Sequence, residues 1–257
     1  MTRNKEWPTP TQQSRDSMSY LVTTSKRTAN LQLPHGFLRD GDAPPLARLV
    51  QGGRGGEVRL KLYLTVSLIA AAAPHTYDRN TPARSWAELL NLPAPEIAGA
   101  RRVSDAFGWL HDHKYLEVDR ERGRPPRFKL LSMDLEGGDY EKPSREYVAV
   151  PLGLWTNHWI SALSGVELAV LLAIMDGPGD DAVGTLEPRF LTGVQKRRYG
   201  FSSDSWTKAT RQLESIGVVE VARRVEGGTM KFRRNRNIYR LPDPQFEAKP
   251  VWPVKYS

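Results

Sequence analysis

Between Gly200 and Gly217 the residues Trp206, Ala209, Leu213 and Ile216 recur at helical spacing, while Asp204, Thr207, Lys208, Arg211 and Ser215 project roughly opposite. The pattern predicts a short amphipathic helix. It opens after a Gly-Phe-Ser-Ser turn whose serines are placed to cap free amides, and it stops at Gly217, where a left-handed residue costs nothing. Val218 to Val221 then reads as a strand. Arg223 to Lys231 holds a Gly-Gly turn, and the run Phe232 to Leu241 returns as a second strand. Helix, strand and basic hairpin in that order constrain the fold more than any other stretch.

Upstream, Glu187 to Tyr199 reads as a helix before the turn, and Leu163 to Met175 as a nearly all-apolar, buried helix opened by a capping box of Ser164 and Glu167. A polar-faced helix ending in Leu-x-x-x-Gly, followed by Val-x-Val and a basic two-stranded wing, resembles the recognition half of winged helix-turn-helix DNA-binding proteins. Residues 147–241 would then make one complete domain of this type.

The first half has the same plan. Glu57 to Ala73 carries Leu60, Tyr63, Leu64, Leu68 and Ala71 at helical spacing, and Ser85 and Glu88 suggest a capping box for a second helix. A third helix reaches His113 with Val103, Ala106, Phe107 and Leu110 inward and Arg101, Ser104 and Asp105 outward; Ile97 falls on the outward face. Tyr115 to Val118, a turn around Gly123 and Phe128 to Leu131 complete a hairpin. Ala106, Leu110, Glu117 and Val118 match Ala209, Leu213, Glu220 and Val221 at a constant offset of 103 residues. The expected fold is α+β, two tandem winged helices over 46–131 and 147–241. Residues 132–146 are an acidic linker, 1–45 a flexible arm whose Tyr20 to Val22 and Leu31 to Leu38 can pair or dock on the body, and 242–257 a tail that lies across the body or hooks a partner.

A net charge of +8 favours an acidic partner, nucleic acid first. Seven basic residues and one acidic lie between Arg223 and Arg240, a loading that suits phosphate or minor-groove contact. From Arg101 to Leu131 eight basic residues meet five acidic ones, which makes the second unit the better reader of DNA. The expected contacts in that unit are Ser203, Thr207, Lys208 and Arg211 on the recognition helix, and Lys196, Arg197 and Arg198 before the turn. On the wing they are Arg223, Arg224, Lys231, Arg233, Arg234 and Arg236. In the first unit they are Arg101, Arg102 and Ser104 on the helix and Arg122, Arg124 and Arg127 on the hairpin. Trp206 reads as core, and Trp155 and Trp159 as packing for the segment entering the second unit.

The chain has no Cys, which excludes disulfides and thiolate metal sites. No cofactor is expected. The longest apolar run is too short to span a bilayer and the N-terminus lacks a signal-peptide core, so a cytoplasmic, nucleoid- or plasmid-associated protein is expected. His111-Asp-His113 with Tyr115 is faintly similar to the paired histidines and tyrosine of rolling-circle nucleases, but Asp112 intervenes and the group lies at a helix end. The chain is therefore read as a non-enzyme. Its plan is similar to plasmid and phage replication initiators, which implies sequence-specific binding of double-stranded DNA at origin repeats. A transcriptional regulator or a partition protein would use the same elements. The alternative from another class is a winged-helix protein–protein interaction module, and the first unit, with Tyr63 and Trp86, is a candidate homodimer surface.

Overall fold

The computed structural model describes residues 6–7, 9–25, 27–51, 55–177, 189–226, 234–252 and 254–255, with side chains over 9–25, 27–51, 55–177, 191–223 and 237–252. Helices and small antiparallel sheets make it an α+β structure. The chain begins with β1 (Glu6–Trp7), α1 (Gln12–Thr24), β2 (Leu31–Pro34), α2 (His35–Arg39) and α3 (Pro45–Val50). A first group follows: α4 (Gly56–Ile69), β3 (Thr76–Tyr77), α5 (Ala83–Leu89), α6 (Ala100–Asp112), β4 (Leu116–Asp119) and β5 (Arg127–Leu130). After β6 (Tyr147–Val150), α7 (Gly153–Thr156) and α8 (Trp159–Ala162) comes a second: α9 (Gly165–Asp176), β7 (Arg189–Phe190), α10 (Gly193–Arg198), α11 (Ser203–Ser215), β8 (Glu220–Glu226) and β9 (Arg234–Arg240). A last strand, β10 (Val254–Lys255), pairs with β1.

Both groups run helix, strand, helix, helix, strand, strand. Each closes a three-stranded antiparallel sheet with its first strand beside its last, in the orders β3-β5-β4 and β7-β9-β8. The repeat extends to backbone detail. Helices α6 and α11 begin and end 103 residues apart. Lys114 and Gly217, also 103 apart, are both left-handed, with φ of 62° and 75°. Next to them the Tyr115 amide donates to Leu110 O and the Val218 amide to Leu213 O, both at 2.9 Å. A left-handed residue after the last turn lets the next amide reach back to an orphan carbonyl, which directs the chain into a strand. Gly217 does this without strain and Lys114 does not.

One apolar core runs through both groups. At its centre α4 packs on α9, and both are buried on nearly every side: α9 because it is apolar all round, α4 with buried polar groups of its own, among them Lys61, which meets Glu57 at 3.1 Å. The capping box of Ser164 and Glu167 opens α9 as expected. Trp206 is buried under α11, and Trp155 and Trp159 under the entry segment, where their indoles donate to Thr65 Oγ1 at 3.1 Å and Ala248 O at 2.7 Å.

Several expectations are corrected. The residues expected as an arm are folded from Gln12 onward: Thr11 caps α1, and Ser14, Met18 and Leu21, one turn apart, are buried where α1 packs on α5. The docking expected of Leu31 to Leu38 is present: Leu31 and Leu33 pair with Val150 and Val148 and are also buried. Few apolar anchors sufficed because they are correctly spaced. The 132–146 segment is no free linker, since Met133 and Tyr140 are buried and Leu131 bridges to Asp139. Ser85 lies inside α5, which starts after Pro82 without a side-chain cap. Within the expected 187–199 helix, Arg189–Phe190 is a strand on β9, and α10 begins only at the capping box of Thr192 and Gln195. Tyr63 and Trp86 are fully buried and cannot form a dimer surface. The tail, by contrast, takes the first of its two expected placements and lies on the body: Phe246 is buried, and Asn157 Nδ2 donates to its carbonyl at 2.6 Å.

The Asp176 carboxylate, fully buried at the end of α9, ties the second group to α2, in the segment before the first group. It accepts from Tyr199 Oη at 2.6 Å and from Arg39 Nη1 at 3.0 Å, and its other oxygen meets His35 Nδ1. Burial, and then the adjacent carboxylate, push the Tyr199 hydroxyl pKa well up, so it stays a donor. Beside it Gln51 Nε2 donates to Gly200 O at 2.7 Å, and Gly200, at φ 75°, lies so close to α3 that a Cβ would sit 2.7 Å from that of Ala47. Tyr199→Phe should cost about 1 kcal/mol, and Asp176→Ala, which strands Arg39 and His35, about 3 kcal/mol, both read by urea unfolding.

His158 offers a pH test. It is buried at a left-handed position (φ 65°), and burial, helped by Arg15 and Lys249, lowers its pKa below the usual 6.5. The folded state thus resists protonation, so this contribution to stability is full above pH 6.5 and is lost as pH falls toward the depressed value. His158→Asn keeps a residue that tolerates the left-handed backbone. Its stability should fall less than that of the wild type between pH 7 and 5 in denaturant titrations.

Candidate nucleic-acid interface

Helix α11 forms because its apolar residues fall on one stripe and Ser202 caps it, accepting from the Ser205 amide at 3.1 Å. Trp206, Ala209 and Leu213 are buried, which turns Ser203, Thr207, Lys208 and Arg211 outward, all exposed. Thr207 Oγ1 bonds back to Ser203 O at 2.8 Å. Lys208 and Arg211 take part in no ion pair among the described residues. The same holds for Arg197 and Arg198 on α10 and Arg223 on β8, which are also exposed. Free guanidinium and ammonium groups gathered around one helix suit phosphate oxygens and guanine edges.

Lys196, expected among the phosphate contacts, is committed elsewhere. Its ammonium donates to Tyr239 Oη at 2.8 Å and lies 5.3 Å from the Trp206 ring centroid, so it fastens α10 to the sheet and the base of α11. Trp206 Nε1 donates to the same hydroxyl at 3.1 Å. On the hairpin, Arg224 stands opposite Arg236 and Glu226 opposite Arg234 in the β8–β9 register. Lys231 and Arg233 lie outside the described residues. Arg240, at the base of the hairpin, pairs with Glu220 at 3.4 Å.

In the first group Arg101, Arg102 and Ser104 are exposed on α6, and Arg122, Arg124 and Arg127 on or beside the hairpin. Most of these charges are compensated. Arg127 holds Asp119 at 2.7 Å and also Glu121, Arg124 holds Glu121 at 3.0 Å, and Arg101 is 3.9 Å from Asp105. The Asp119 hydrogen bond and then the Glu121 charge raise the Arg127 pKa. Arg102 and Arg122 enter no ion pair among the described residues. The antiparallel β4–β5 register, which sets Asp119 opposite Arg127, is what brings these charges together.

The His111, His113 and Tyr115 group is structural. His111 Nδ1 accepts from the Val118 amide at 3.2 Å, His113 Nδ1 pairs with Trp109 O at 2.8 Å, and Tyr115 Oη donates to Pro45 O at 2.7 Å. Among the described residues no group of His, Asp and Glu could hold a metal ion, and no helix is long and apolar enough to cross a membrane. Comparison with protein-family models, curated proteins and solved structures finds no match for this chain.

Lys196→Met should lower stability by about 1 kcal/mol through its lost hydroxyl and ring contacts, whereas Arg197→Ala and Arg198→Ala should melt with the wild type. Thermal unfolding separates the two classes.

Proposed function

We propose that both groups are winged helices and that the chain is a sequence-specific double-stranded DNA-binding protein, of the kind that initiates plasmid or phage replication at origin repeats. One observation carries the reading. Helix α11, which precedes the hairpin in the second copy, presents Ser203, Thr207, Lys208 and Arg211 outward, its cations unpaired among the described residues. In this fold such a helix enters the major groove, the hairpin follows the backbone, and Arg197 and Arg198 meet phosphates from the preceding helix. Arg211 is the residue assigned to a guanine edge. The work is binding, without catalysis or cofactor, in the cytoplasm at a nucleoid or plasmid.

A second reading concerns the first copy alone. Two of its hairpin arginines, Arg124 and Arg127, face Asp119 and Glu121, which favours weak DNA contact there, or pairing with another copy of the chain. Transcriptional regulation and partition use the same contacts. They differ in where the selected sequence lies: repeats at a fixed spacing in an origin support initiation, and a lone site at a promoter supports regulation.

Selection from random duplexes, followed by fluorescence anisotropy at two salt concentrations, tests the proposal. The wild type should recover one motif. Arg211→Ala should weaken it by roughly 10-fold and relax preference at one or two base pairs. Arg223→Ala should weaken all duplexes alike and reduce the salt slope by about 1. Absence of duplex binding at either salt would overturn the reading in favour of a protein-docking module.

A further inference from the structure

The start of α6 differs from that of α11 in one respect that the two-copy plan does not explain. Ile97, in the π-helical turn Pro95–Gly99, is 81% exposed. Its turn is rigidly built. Ala94 is left-handed at φ 47°, and its carbonyl accepts from the Ile97 amide at 3.2 Å and from the Gly99 amide at 2.8 Å. Gly99 is buried so closely that a Cβ would lie 3.0 Å from that of Ala87, and Pro93 and Pro95 restrict the backbone on either side of Ala94. The side chain is therefore held outward by a fixed frame. Along α6, Arg101, Ser104 and Asp105 follow Ile97 at four, seven and eight residues and are also exposed, so Ile97 begins the outward face. At the offset of 103 the second copy has Gly200, pressed against α3.

Resting on the DNA-binding reading above, we propose that Ile97 is a base-reading residue of the first copy and recognises the 5-methyl group of a thymine in the major groove. The residues at the start of a recognition helix are the ones that meet base edges. The thymine methyl is the apolar feature of the major-groove floor, and an aliphatic side chain is its natural partner. Arg102, exposed one turn further on and in no ion pair among the described residues, supplies a cation that brings this face onto a phosphate backbone. A protein interface would need a contiguous apolar patch, whereas the other large exposed hydrophobics among the described residues, Tyr20, Val194 and Val251, belong to other segments. The two copies thus divide the work: α11 reads with unpaired cations, and α6, whose hairpin charge is compensated, reads by apolar contact.

The test uses the full chain and the duplex it selects, with each thymine replaced in turn by deoxyuridine, which lacks only the methyl. For the wild type, one or two replacements should each weaken binding about four-fold, the value of one buried methyl. Ile97→Ala, which should melt with the wild type, should weaken the thymine duplex by a similar factor and no longer distinguish deoxyuridine at those positions. Arg211→Ala should keep the distinction. The inference is overturned if Ile97→Ala discriminates as the wild type does, if no replacement affects the wild type, or if the selected motif has no thymine. Each of those results leaves duplex binding standing. If the wild type binds no duplex, the functional reading falls and this inference with it.

Discussion

The carboxylate of Asp176 is the point on which the arrangement depends. A fully buried charge is tolerable only when its oxygens are satisfied, and this one is held by Arg39 and His35 from the first part of the chain and by Tyr199 from the second. Tyr199 immediately precedes the turn into α11. Meeting the demands of one carboxylate thus sets where the proposed reading helix begins. Gln51 and Ala47 complete the clamp on Gly200. In this molecule the segment before the first repeat is part of the frame that positions the second.

The two copies share a backbone plan and differ in how their surface charge is spent. In the second, the packing of Trp206, Ala209 and Leu213 leaves Lys208 and Arg211 in solvent, while Lys196 is diverted inward onto Tyr239. In the first, cross-strand pairing sets Asp119 opposite Arg127, and Glu121 holds both Arg127 and Arg124. Surface pairs of this kind add little stability, about 0–1 kcal/mol each. Their consequence is electrostatic: a guanidinium already facing a carboxylate has less to offer a phosphate.

What could be read from the chain alone was whatever depends on local periodicity. The stripe of Trp206, Ala209 and Leu213, the Ser164–Glu167 box, the left-handed Gly217 and the 103-residue offset are all visible because helix spacing, capping and turns are encoded over a few residues. The outward placement of Lys208 and Arg211 came with them. Errors arose where local signals were weak or misleading. Ser85 and Glu88 have capping-box spacing inside a helix that Pro82 starts. Two residues at Arg189 are too few to announce a strand, and α1 buries three small or flexible side chains that a reading by composition passes over.

Tertiary structure decided what depends on distant partners. No periodicity reveals that Lys196 meets Tyr239 or that Tyr63 and Trp86 lie in the core, because those facts belong to elements that meet only in space. The sequence by itself determined the long helices and hairpins of the two groups, their order and the exposed face of α11, since each follows from spacing and charge within a single segment. Only the folded chain decided that one core joins both copies through α4 and α9, that the expected arm is structural, and which arginines remain unpaired among the described residues, since burial and ion pairing are relations between segments far apart in the chain.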